Sequence, residues 1–395
     1  MTMSDWIEKE LGDILSLNYG WNLPEKKRVT GHVPVYGSNG VVGSHNQALV
    51  NSAGLIVGRK GSAGNVHYSR KPFCPIDTTF FIAPSDTKLD LEFLYYLLLH
   101  LDLKRILGDV GVPGLNREVA YKETARFPDN RDEQRKIAGV LGVVQRAIEQ
   151  QERLLALTAE LKKVLMHKLF TEGLRGEPQK QTEIGPVPKS WEVMKMGSLG
   201  KIVTGATPKT AVPEYYMPPE VDFIAPADLG QTRHIYSSEK KISRRGFEAV
   251  RGLPKDAVMC VCIGSSIGKV GMTSKDASAT NQQINSVICD EKHDPAFIYY
   301  LLSHFAEYWR GFATFGPVPI LSKGSFETIN IVVPPMKGEE TEIAEYFTAL
   351  DAKVEVHMRR KVLLTDLFRT LLHQLMTAKI RAHELDLPEL EDSKG

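Results

Sequence analysis

From Arg131 to Phe170 the chain has no proline, and glycine occurs only at Gly139 and Gly142. Apolar residues recur there at Ile137, Leu141, Val144, Ile148, Leu155, Leu165 and Leu169, in the alternating four-and-three steps of a heptad. A second stretch sets Ile343, Phe347, Leu350, Val354, Leu364, Phe368, Leu371 and Leu375 in the same frame. Each predicts a helix of about forty residues, roughly 60 Å long at the usual rise. That is far beyond the ~11–12 residues of an average helix. Stripes so long and narrow favour pairing the two helices with each other over packing each onto its own domain. Both seams carry a polar residue at the equivalent central place, Gln151 and His357, which costs stability and fixes register.

The two helices belong to a duplication. A shift of 206 residues carries LMHKLFT at Leu165–Thr171 onto LLHQLMT at Leu371–Thr377, Ile137 onto Ile343 and Leu141 onto Phe347. Upstream, FLYYLLLH at Phe93–His100 matches FIYYLLSH at Phe297–His304, now shifted by 204. GSAGNV at Gly61–Val66 matches GSSIGKV at Gly264–Val270 with one inserted residue, and Trp6 with Leu11-Gly12 matches Trp191 with Met196-Gly197. Ordered matches of this kind mark an internal repeat. The spacing drifts in the front portions and is constant in the helical ones, as expected for two variable domains, each followed by a rigid element.

The front portions mix β-like runs such as GLIVGRK at Gly54–Lys60, AVMCVCIG at Ala257–Gly264 and INIVV at Ile329–Val333 with turn signals and one clear helix each. The expected organisation is a recognition domain over 1–130, a spacer helix over 131–172, and a Gly- and Pro-rich linker over 173–190. A second domain over 191–335, a second spacer helix over 336–385 and an acidic tail over 386–395 follow. The predicted fold is two α/β (α+β-like) domains separated by two long antiparallel paired helices, a coiled coil, with a pseudo-twofold internal repeat.

Composition narrows the class. With 42% hydrophobic and 25% charged residues the chain is ordinary for a globular protein. Its most apolar run, Leu91–Leu107, is broken by Glu92, Asp102, Lys104 and Arg105, so no membrane association is expected. The first residues lack a signal-peptide pattern, and the expected location is the cytoplasm. Cys74, Cys260, Cys262 and Cys289 form no CxxC pair and read as buried structural thiols. Net charge of +1 is neutral on a nucleic-acid partner, because local patches decide.

Catalytic signatures are missing. There is no glycine-rich dinucleotide or methyl-donor loop after a strand, no Asn-Pro-Pro-aromatic box and no HExxH, and the GxSxG string at Gly264–Gly268 is not followed by the helix pattern that a nucleophile elbow requires. GSSIGK fails as a P-loop, having three residues between its glycines and Val270 where Ser or Thr is required. Candidate contact residues sit instead in matching places of the two copies. The turn after the central strand offers Arg59, Lys60, Ser62 and Asn65 in one copy and Ser265, Ser266 and Lys269 in the other. Glycines there let a backbone approach a phosphate, and these side chains supply donors. Asp77, Thr78 and Thr79 match Asn281, Gln282 and Gln283, groups able to read base edges. A third loop, Gly111–Arg117 or Gly316–Lys323, adds Asn116, Arg117, Ser322 and Lys323. Basic residues also gather at Lys26, Lys27 and Arg28, and at Lys240, Lys241, Arg244 and Arg245. Each feature alone also reads as a tight turn or a solvated face.

The whole chain resembles the specificity subunits of type I restriction–modification systems. The resemblance lies in the alternation of variable and repeated regions, DEQRKIAGVL opening the first helix, GLRG closing it, the TEIGPVPKSW connector, the ending LFRTLLHQLMTAKIRAHELDLPEL and the duplicated GSxxGxV turns. It implies a non-catalytic chain whose two target-recognition domains each bind one half of a split double-stranded DNA sequence. It also implies partners: two modification (methyltransferase) subunits that carry S-adenosylmethionine, and restriction/translocase subunits that use ATP and Mg, with no cofactor or metal in this chain. Readers ~60 Å apart span somewhat under two turns of B-DNA, so shortening one helix by a heptad is expected to change the unread spacer and not the half-sequences. The competing readings are a stand-alone DNA-binding regulator, a coiled-coil scaffold and an enzyme with an unrecognised site.

Overall fold

The computed structural model describes residues 6–107, 114–314 and 316–382. The expected acidic tail and the first residues of the loop Gly111–Arg117 lie outside them. Two compact units divide the chain: one comprises Met1–Arg153 with Met358–Gly395, the other Leu154–His357. The divisions fall inside the long helices, Arg131–Glu172 and Lys337–Met376, and not at the expected boundaries near 130 and 190. The physical reason is packing: each front domain buries part of both helices.

In the first unit Gly54–Gly58 is the central strand, buried at every residue. Its neighbours in a four-stranded antiparallel sheet are Thr79–Ile82 and Val66–Ser69, with Asn18–Tyr19 at one edge. Side chains alternate across the sheet. Leu55 and Val57 join Phe93, Leu94 and Leu97 of the helix Leu91–Leu101, while Ile56 packs on Val50 and Phe73 behind. A three-stranded sheet of Gly40–His45, Val33–Gly37 and Cys74–Pro75 adjoins it, and Trp6–Glu10 pairs with Thr124–Pro128. Ile137, Leu141, Leu375 and Met376 of the long helices complete the core. The helices run antiparallel: Glu133 meets Arg381 at 2.7 Å and Glu152 meets Lys361 at 2.8 Å.

The second unit repeats the plan. Val258–Val261 is central in a five-stranded sheet, Val258 and Cys260 facing the helix Pro295–His304 and Met259 and Val261 the other side. Glu192–Lys195 pairs with Asn330–Val333 as Trp6–Glu10 does in the first unit. Here Ile343 and Phe347 of the second long helix and Leu169 and Phe170 of the first fill the core, and Lys162 meets Asp351. The matching ends dock by matching rings: His373 lies 6.0 Å from His100, and His167 lies 6.5 Å from His304. The predicted seam is graded. Ile137, Leu141, Val144, Ile148, Gln151, Ile343, Phe347 and Leu350 are buried, whereas Val354 and His357 are half-buried.

Two expectations are corrected. The second long helix stops at Met376, short of 385, because Ala378 turns left-handed (φ 55°) and Lys379 donates its N–H back to the Gln374 carbonyl. The stretch 173–190, read as a linker, contains an antiparallel hairpin, Gln179–Thr182 with Gly185–Pro188. Its Val187 is fully buried, and its turn is carried by Gly185 at φ 115°. The four cysteines are free thiols, three buried and Cys289 half-buried. Burial pushes the Cys262 and Cys289 thiols up to about 12, which leaves them poor nucleophiles. Among the described residues no helix is long and apolar enough to cross a membrane.

The start of each long helix is tied to its front domain by one buried side chain. Gln134 accepts from Asp90 N–H at 2.8 Å and donates to the Pro128 carbonyl at 2.9 Å. At the equivalent place Glu340, 1% exposed, accepts from Asp294 N–H at 2.7 Å and faces His293 Nδ1 at 2.8 Å. Burial raises the Glu340 carboxyl above the usual range, and its hydrogen bonds do not fully offset this. A carboxyl whose folded pKa is raised keeps its proton to a higher pH in the folded chain than in the unfolded one. Its stabilising contribution is complete below ~4.3 and is lost as pH climbs through the raised value. Glu340→Gln, which copies Gln134, is therefore expected to hold the second unit at least as stable at pH 7. It should also flatten the fall in stability as pH rises above ~4.3, read at pH 4 and at pH 8. Urea midpoints at the two pH values measure this, and an undiminished fall in the variant contradicts it.

Candidate nucleic-acid interface

At one end of the central sheet, three segments of the first unit are sewn together by backbone hydrogen bonds. Gly58 N–H donates to the Asn65 carbonyl and Gly64 N–H to the Gly58 carbonyl, closing the turn after the central strand. Arg59 N–H donates to the Thr78 carbonyl, and Leu115 N–H donates to the Arg59 carbonyl. The second unit uses the same bonds with other residues. Val261 N–H donates to Lys269, Gly268 N–H to Val261, Cys262 N–H to Gln283, and Leu321 N–H to Cys262. Asn65 N–H donates to Ser62 as Lys269 N–H donates to Ser266. Arg59 and Cys262 are thus equivalent, as are Thr78 and Gln283, and Ser62 and Ser266. The bridges Lys60–Gly114 and Ile263–Ile320 put the inserted residue of the second turn between Ile263 and Ser266.

This frame brings the sequence-derived candidates together in each unit, and it separates them by role. Thr79 is fully buried, its hydroxyl donating to the Ile76 carbonyl, and is withdrawn from any surface. Asn116 caps the short helix Arg117–Tyr121, accepting from Glu118 and Val119 N–H, and Ser322 caps Lys323–Thr328 in the same way. Thr78 contributes chiefly its carbonyl, which accepts from Ser38 Oγ, Arg59 N and Lys60 N. Asn281 donates to Gln283 Oε1, and Gln283 donates to the Ile263 carbonyl at 3.4 Å, while exposed Gln282 accepts from Thr207. Lys269 turns its ammonium to the Pro226 carbonyl and Lys323 to Glu327. Lys60 and Ser265 are exposed; Ser62, Ser266 and Asn65 are half-exposed.

Arg59 donates twice to the Asp77 carbonyl, at 2.6 and 3.1 Å, and lies 5.2 Å from the Tyr19 ring centroid. Arg117 lies 5.3 Å from the same ring. Tyr19, 54% exposed, was absent from the candidates. So were Gly20 and Gly205, which hold equivalent places: Gly20 N–H donates to the Thr79 carbonyl and Gly205 N–H to the Ile284 carbonyl. The signal was a glycine closing each first strand, in Asn18-Tyr19-Gly20 and Val203-Thr204-Gly205. Its spacing differs too much between the copies to stand out in the repeat.

Of the basic clusters, Lys26 and Lys27 are exposed, Arg28 is pinned to the Val42 carbonyl, and Lys241 sits 3.8 Å from buried Asp222. Among the described residues no group of three or more His, Cys, Asp and Glu could hold a metal ion.

The two front domains thus share one backbone frame, lined by donors, acceptors and basic groups, and each is joined to the long helices. The sequence profile described as "Type I restriction modification DNA specificity domain" matches the chain twice, over residues 3–159 and 188–365. The chain belongs to that family. It is 26% identical over 312 residues to a Methanocaldococcus jannaschii protein described as "Putative type I restriction enzyme MjaX specificity subunit", covering 76% of this chain and 70% of that one. To the MjaVIII specificity subunit of the same organism it is 24% identical, covering 87% and 83%. The S subunit of a type I restriction–modification system from M. genitalium has the same fold (TM-score 0.68, 17% identity, 94% of this chain and 96% of that chain covered).

Proposed function

We propose that the chain recognises a bipartite, asymmetric double-stranded DNA target and directs partner methyltransferase and restriction subunits to it, making and breaking no covalent bond itself. The observation that carries this reading is the shared backbone frame with different side chains. Arg59, Arg117 and Tyr19 in one unit stand where Cys262, Lys323 and Thr204 stand in the other. One frame supports one mode of approach to a duplex; unlike side chains on it read unlike half-sequences. In this reading S-adenosylmethionine belongs to the modification subunits, and ATP and Mg to the restriction subunits.

The test is a genome-wide map of methylated adenines with and without this gene. The expected result is a split motif, its halves different in sequence, that vanishes on deletion. An unchanged map contradicts the proposal.

Partner recruitment is supported by leucines off the paired seam. Leu157 and Leu161 are 51% and 54% exposed, and Leu363 and Leu367, at the 206-residue shift, are 69% and 46% exposed. A matching apolar pair in each repeat, one helical turn apart, fits two copies of one partner. Replacing either pair by aspartate is expected to weaken capture of the modification subunit by roughly thirtyfold or more, since losing even one buried interface anchor costs ~2 kcal/mol. Thermal stability and DNA affinity of the free chain should be unchanged. Undiminished capture in pull-down titrations would remove these leucines from the interface.

A further inference from the structure

Resting on the reading of the chain as a DNA specificity protein, we propose that Arg117 reads a guanine in the half-sequence bound by the first unit, with Tyr19 and Arg59 as its positioning residues. Arg59 is committed: its Nε and Nη2 both donate to the Asp77 carbonyl, which fixes its guanidinium beside Tyr19. Arg117 is held differently. Its guanidinium lies 5.3 Å from the Tyr19 centroid and 5.9 Å from that of Tyr121, and only its Nε is engaged, with Glu118 at 3.3 Å. Among the described residues its two terminal nitrogens make no hydrogen bond. An arginine so placed presents a free donor pair on a side chain already ordered by aromatic contacts, which lowers the entropy cost of a bidentate contact. The O6/N7 edge of guanine in the major groove is the base edge that accepts such a pair.

Charge points the same way. Arg59, Arg117 and Lys60 converge on one end of the sheet, and the carboxylate paired with Arg117, that of Glu118, is itself exposed. Two guanidinium ions beside one half-exposed ring are better satisfied when an electron-rich group enters between them and solvent. The second unit has no such stack. At the Tyr19 position Thr204 donates to Asn285 Oδ1, the Arg59 position is buried Cys262, and Lys323 is tied to Glu327 at 3.4 Å. The guanine contact therefore belongs to one half of the target only.

The test uses the full chain with its modification subunits. The methylated motif is determined in cells for wild type, Arg117→Ala, Arg117→Lys and Tyr19→Ala, and duplex affinity is measured against salt. For Arg117→Ala the expected result is one position, in one half of the motif, that changes from guanine to any base. Discrimination there should fall by roughly 5- to 150-fold while every other position is kept. Arg117→Lys keeps the charge, and with it the salt slope, and relaxes the same position. Tyr19→Ala relaxes that position alone, whereas Tyr19→Phe, which keeps the ring, restores it. A uniform loss of affinity across sequences with a salt slope smaller by about one would make Arg117 a phosphate contact and overturn the proposal. So would an unchanged motif. A wild-type chain with no split motif and no salt-dependent binding would instead bring down the underlying reading, and this proposal with it.

Discussion

Phe170→Ala is expected to lower the melting temperature of the second unit by on the order of 10 °C. Phe170 is fully buried near the end of the first long helix, and five rings surround it. Trp191, Phe297, His304, Phe305 and Phe347 have centroids 6.2, 5.8, 5.0, 6.0 and 5.9 Å away. Truncating a phenylalanine so enclosed costs about 3–5 kcal/mol, because the cavity cannot collapse among rigid rings. For a unit of this size each kcal/mol is worth roughly 2–4 °C. The control lies on the same helix: Leu161→Ala removes a half-exposed side chain and should stay within ~0.5 kcal/mol. Calorimetry on both variants decides the matter. Equal melting temperatures would mean that this helix end does not hold the second front domain.

Gly20→Ala and Gly205→Ala are expected to cost about 3 kcal/mol each and to disable the half-sequence read by their own unit. Neither glycine needs a left-handed backbone; both are required by close approach. A Cβ on Gly20 would lie 2.0 Å from the Ile76 carbonyl oxygen, and one on Gly205 would lie 2.2 Å from that of Asn281. Backbone cannot yield as a flexible side chain can. The first strand would separate from the segment carrying Asp77 and Thr78, or Gln282 and Gln283, and Tyr19 would move with it. Gly61 provides the contrast: with φ 72° and nothing within 4 Å of its Cβ, Gly61→Ala should show only conformational strain, ~1 kcal/mol. Urea midpoints separate the two cases. Methylation mapping then reports which half of the motif is lost, and loss of both halves from one substitution would contradict independent units.

Much of the plan was legible because it repeats. Two copies of one pattern revealed the long helices, the buried central strands and the helix after each. The turns at Gly61 and Gly264 announced themselves by matching glycines, and both sit where the structure closes its surface frame. Three kinds of information were not legible. The stretch 173–190 looked like a linker because Gly and Pro mark turns whether or not the strands between them pair. Thr79 looked available because its burial depends on Ile76, brought back across the sheet. Asn116 and Ser322 looked like DNA contacts, although each precedes a short helix and could have been read as its cap.

What the sequence determined alone was periodicity and duplication, and these need only local order: a heptad stripe, alternating strands and two similar halves dictate which elements form. What only the tertiary structure decided was which atoms are left over. Whether a polar group faces outward or is used up internally depends on partners far along the chain, as Asp77 is for Arg59, Tyr19 for Arg117 and the Pro226 carbonyl for Lys269. Hydrogen bonding saturates, so a donor spent on the fold is not available to a ligand. That accounting closes only when distant segments have been brought together.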